Sequence, residues 1–67
     1  MNQLRNVFNG IEGIDKVTID RDEGMIFVYG NSEGVKKIIN LEGLYVFEIG
    51  QIECIGKDLY MVDVCVY

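Results

Sequence analysis

The chain contains no histidine, only two cysteines, and a single serine and threonine. That poverty removes most of the side chains from which enzymes assemble a nucleophile and its base, so no catalytic residues are assigned. Without imidazole the commonest nitrogen ligand for a metal is missing as well, and no metal or cofactor site is expected. No apolar run approaches the about 18 residues that a membrane-spanning helix requires, so no membrane partner is expected. The opening MNQLRNVFNG holds one arginine and no apolar core of the signal-peptide kind. A cytoplasmic protein with reduced thiols is therefore the expectation. Positive charge is also scarce, with six basic residues scattered among eleven carboxylates for a net charge of −5. Binding to a phosphate backbone depends on clustered cations, so no nucleic-acid partner is expected either.

What is present is apolar. Hydrophobic residues make up 49% of the chain, too many for disorder. Its 67 residues form one domain, 1–67, without linker or repeat. A domain this short buries only about 60% of the surface its unfolded chain exposes. Such domains gain stability from disulfides, a metal or self-association.

Leu4, Val7, Phe8 and Ile11 recur at helical spacing and predict a first helix, with Gly13 as its stop. GIDKVTID then alternates, with Val17 and Ile19 on one side and Lys16, Thr18 and Asp20 on the other. RDEG predicts a four-residue hairpin loop closed between Asp20 and Met25. Across it, Ile26 and Val28 join Val17 and Ile19, while Met25, Phe27 and Tyr29 take the opposite face. In NSEGVKKIIN, Asn31 or Ser32 caps a short second helix with Val35, Ile38 and Ile39 as its apolar stripe.

The remainder predicts a hairpin turning at residues 56–58. A bulge at Gly50 keeps Phe47, Ile49, Ile52 and Cys54 inward and Glu48, Gln51 and Glu53 outward. A shorter reading makes Gly50 and Gln51 a separate turn. The order α-β-β-α-β-β gives an α+β fold, two helices packed on one face of a four-stranded antiparallel sheet. It is the ferredoxin-like order with its first strand moved to the end, which puts the second and last strands at the centre. GIDKVTIDRDEGMIFVYG resembles the strand-turn-strand half of heavy-metal-associated domains, which share the ferredoxin-like fold. That family's Cys-x-x-Cys has no counterpart here, because no cysteine precedes Cys54, and its metal function is not carried over.

On this hairpin a strand rise of about 3.3 Å per residue separates Cys54 from Cys65 by about 13–17 Å. That is beyond the reach of a disulfide, about 4.4–6.8 Å between α-carbons. Both read as small apolar packing residues. DRDEG lacks the glycine and glutamate positions of a calcium loop and reads as a hairpin tip.

LYMVDVCVY is apolar on both sides, with Tyr60, Val62, Val64 and Val66 matched to the helices. The opposite face of the two central strands then carries Met25, Phe27, Tyr29, Leu59, Met61 and Tyr67, interrupted by Asp63 and flanked by polar edges. An apolar centre rich in Met and aromatics with a polar rim has the composition of a protein contact surface. Two strands of this length present a patch of about 300–500 Å², at the limit of what a monomer leaves bare. The expectation is a non-enzymatic interaction module, a small acidic regulator or inhibitor of the kind phages and mobile elements carry. It would form a homodimer or dock on another protein through these six residues. Two alternatives stand beside it: a metabolite sensor with its pocket at a dimer interface, and a stripe covered internally by the first helix or by the arm containing Gly50.

Overall fold

The computed structural model describes residues 2–66. Its elements are α1 (Asn2–Asn9), β1 (Ile14–Asp20), β2 (Met25–Gly30), α2 (Ser32–Leu41), β3 (Phe47–Gly56) and β4 (Leu59–Val66). The strands form one antiparallel sheet in the order β1-β2-β4-β3. This is the ferredoxin-like arrangement in permuted chain order, with β4 in the central place of the missing first strand.

In α1, Leu4 and Phe8 are buried one turn apart and Val7 lies beside them, half-buried. The helix stops before Gly13: the N–H of Gly10 is shared between the carbonyls of Asn6 and Val7, at 3.1 and 3.2 Å. Ile11 therefore packs against the core from the turn, outside the helix. The β1–β2 loop closes between Asp20 and Met25 as the alternation predicts, with Gly24 at φ 67°.

Three glycines bring the start of α2 onto the end of the α1–β1 turn. The Asn31 N–H donates to the Gly13 carbonyl at 2.9 Å, and Gly13 itself has φ 99°. A methyl group on Gly34 would lie 2.8 Å from that carbonyl oxygen, and one on Gly30 would overlap it. Backbone thus packs on backbone here, which only residues without a side chain permit.

At the N-terminus of α2, the Asn31 side chain accepts from the Gly34 N–H at 3.0 Å and Asp58 Oδ1 accepts from the Ser32 N–H at 3.1 Å. Two of the helix's orphan donors are satisfied, one of them by the tip of the β3–β4 hairpin. Val35 and Ile38 are buried. Ile39, expected with them, is exposed, because one residue turns it about 100° round the helix.

β3 and β4 pair with Ile49 opposite Val64 and Ile52 opposite Val62, so Gly50 and Gln51 together face Asp63. This is the bulge, and the separate turn is excluded. The strand begins at Phe47, with Leu44, Tyr45 and Val46 in the preceding loop.

The core gathers Leu4 and Phe8 of α1, Val35 and Ile38 of α2, and Ile26, Val28, Phe47, Val62 and Val64 of the sheet. Phe8 meets Phe47 edge to face with centroids 5.4 Å apart. Contacts place α1 over β1 and α2 over β2 and β4, leaving most of β3 overhanging. Ile52 and Cys54 keep the inward phase opposite Val62 and Tyr60, yet both are exposed, contrary to expectation, because the helices cover only the start of that strand, at Phe47 and Ile49.

Candidate protein-interaction surface

Both helices occupy one face of the sheet, so the other is open. Register sets its side chains in three rows across the strands. Lys16, Tyr29, Met61 and Glu53 form one row, and Asp20, Met25, Cys65 and Glu48 form another. Between them, Thr18 and Phe27 lead to Asp63 and the Gly50–Gln51 bulge. Leu59 enters at the hairpin end, opposite Gly56. Of the six stripe residues predicted from sequence, five share this face: Met25, Phe27, Tyr29, Leu59 and Met61. The sixth, Tyr67, lies outside the described residues.

All five are half-buried. Each has cross-strand neighbours on the same face, which shield part of its side chain. Neither α1 nor the arm containing Gly50 covers the stripe, because the helices sit on the opposite face and β3 continues the sheet beside β4. The Lys16 ammonium lies 5.0 Å from the centre of the Tyr29 ring, its charge turned toward the aromatic face.

Asp63 is the polar interruption. One of its carboxylate oxygens is buried and has no hydrogen-bond partner. Across β2 it faces Phe27, which offers no donor. On the β3 side it faces Gly50, where an added Cβ would stand 3.7 Å from the Asp63 Cβ, an ordinary contact distance. Gly50 therefore sets no side chain beside the carboxylate, a notch one side chain wide in the row, and Phe27 lies on the other side of Asp63.

The β3 edge is guarded against pairing with another strand. Glu42 Oε2 accepts from the Ile49 N–H at 2.9 Å, and irregularities at Gly50–Gln51 and near Ile55 break the ladder. Bulges and charged side chains at an edge discourage strand addition, so contact through a face is favoured over contact through this edge.

Sequence reasoning missed a second apolar region. Leu44 (76% exposed), Tyr45 and Val46 (70%) in the α2–β3 loop, Ile39 on α2, and Ile52 and Ile55 in the second half of β3 are exposed. The run LYVF reads as continuous strand, and nothing in its pattern signals that three of its four residues form a loop. The cysteines are free, as their separation predicts, but both are exposed rather than packed. Cys54 donates to the Gly56 carbonyl at 3.2 Å, and Cys65 lies on the open face beside Met25 and Glu48. Besides these, an open depression at the β1–β2 turn is lined by Thr18, Asp20, Arg21, Asp22 and Phe27. Among the described residues, no helix is long and apolar enough to cross a membrane.

The chain matches no protein-family model, and neither curated proteins nor solved structures give a significant match.

Proposed function

We propose that this chain is a non-enzymatic protein-interaction module, a small acidic regulator or inhibitor, that docks on a partner protein through the open face of its sheet. One observation carries the reading: both helices cover the same face, so Met25, Phe27, Tyr29, Leu59 and Met61 form an apolar stripe over which the described residues place no layer. A sheet with one apolar face uncovered gains by adding a layer, since each Å² of apolar surface removed from water contributes about 25 cal/mol.

The competing occupant is a second copy, the homodimer expected from sequence. A two-fold axis along the strands would set Asp63 of each copy over Phe27 of the other. An axis across the strands through that row would set the two carboxylates face to face. Either stack buries a carboxylate without a donor, which is strongly unfavourable. A different protein is the better fit.

The test is a photo-crosslinking amino acid placed at Phe27 or Met61, with Lys37 on the solvent side of α2 as control, in cells that express the chain. The expected result is a discrete adduct from both face positions, absent from Lys37 and lost when the unlabelled face position is changed (Met61→Glu or Phe27→Asp). Equal labelling at all three positions, or none at the face, overturns the reading. An adduct of twice the chain's own mass would identify self-association and overturn the choice of occupant.

A further inference from the structure

We infer that the partner is cationic: an amphipathic helical segment of another protein that lays apolar side chains on Phe27, Tyr29 and Met61 and directs an arginine or lysine into the notch between Asp63 and Gly50. The inference rests on the open-face reading and adds the chemistry of the occupant.

Three features converge on it. The first is the buried Asp63 oxygen with no donor, in the central row of the stripe. A carboxylate in such a place is stabilised by a charge-assisted hydrogen bond, and rotation about its terminal torsion can present either oxygen to a newcomer. The second is Gly50, which sets no side chain of its own opposite that carboxylate, where a Cβ would stand 3.7 Å from the Asp63 Cβ. The third is the rim. Asp20 and Glu53 flank the stripe at opposite edges, while the face's own Lys16 is turned onto Tyr29. Acidic flanks around an apolar centre complement a helix whose apolar stripe is bordered by cations, and they repel an acidic one.

The experiment uses the whole chain and two synthetic helical peptides of identical apolar pattern, one of leucine and arginine, the other of leucine and glutamate. Binding is followed by fluorescence anisotropy at physiological salt and located by amide chemical shifts. The arginine peptide is expected to bind with shifts centred on Phe27, Met61 and Asp63, and the glutamate peptide at least about tenfold more weakly. Asp63→Asn is expected to weaken arginine-peptide binding by about fivefold, the scale of one charge-assisted bond. Gly50→Val, which fills the notch without changing charge, should weaken it comparably.

Glu33→Gln removes the same charge from exposed α2, away from the sheet, and should change affinity by less than about twofold. If Glu33→Gln weakens binding as much as Asp63→Asn, or if both Asp63→Asn and Gly50→Val bind like the native chain, the notch is not the cation site and the inference falls. Phe27→Ala, which removes an apolar contact without adding an anion that would itself attract the arginine peptide, separates the two levels. Tight binding by that variant would overturn the open-face reading itself.

Discussion

The Asn31 N–H donates to the Gly13 carbonyl at 2.9 Å, and this bond pins the first turn of α2 to the end of the α1–β1 connection. Gly34 lies against the same carbonyl, with no room for a methyl group. Gly34→Ala is expected to destabilise the chain by about 1–3 kcal/mol, since backbone must move to admit the new atom while the gain in helix propensity is smaller. Gly43→Ala is the matched control, because a Cβ there meets nothing within 4 Å. Its change should lie within about 0.5 kcal/mol. Urea denaturation midpoints for the two variants check the contrast.

Asp58 has φ 51° and caps the Ser32 N–H from the tip of the β3–β4 hairpin. Asn tolerates the left-handed conformation and keeps an acceptor oxygen, whereas Ala does neither. Asp58→Asn is therefore expected to stay within about 0.5 kcal/mol of the native chain, and Asp58→Ala to lose about 1–2 kcal/mol. A thermal melt in which Ala and Asn behave alike would show that neither the cap nor the turn conformation matters.

The two faces of the central strands should respond oppositely to a charge. Phe27 and Met61 are half-buried on the open face, and Val28 and Val62, one residue away, are fully buried. Phe27→Asp and Met61→Glu should leave a cooperative fold weakened by about 1 kcal/mol, chiefly through lost cross-strand contacts. Val28→Asp and Val62→Glu should abolish it, because an unpaired charge would enter the core. Circular dichroism with urea titration reads both. Unfolding by the open-face variants would mean that the stripe is part of the structural core.

The fold was legible because alternation and helical spacing speak directly about burial, one residue at a time. Val17, Ile19, Ile26 and Val28 share a face by period alone, and Gly50 announced its bulge because any other phase would have buried Glu48 or Glu53. Tertiary coverage is a different quantity. Ile52 and Cys54 point toward the helix side, but whether a helix reaches them depends on two short helices spanning four strands, which no local pattern encodes. The same limit hid the exposed loop at Leu44–Val46 and the packing of Gly13, Gly30 and Gly34, whose contacts join residues far apart in sequence. The candidate site was legible in its stripe and not in its notch. Asp63 and Gly50 come together only through the register of β3 on β4.

That register also makes Asp63 a residue whose removal should help the fold. Its buried oxygen lacks a donor, and a carboxylate is a poor strand former among Val62, Val64 and Phe27. Asp63→Val replaces it with a β-branched side chain facing Phe27 and the Gly50 bulge, and is expected to stabilise the chain by about 1 kcal/mol in urea denaturation. The more apolar face should also begin to associate with itself, raising the mass seen by light scattering at high concentration. Under the proposed docking function, a carboxylate that costs stability and suppresses self-stacking would serve specificity for another protein. Should Asp63→Val prove less stable than the native chain, the carboxylate has a structural partner in solution, and its availability to a docking cation is lost with it.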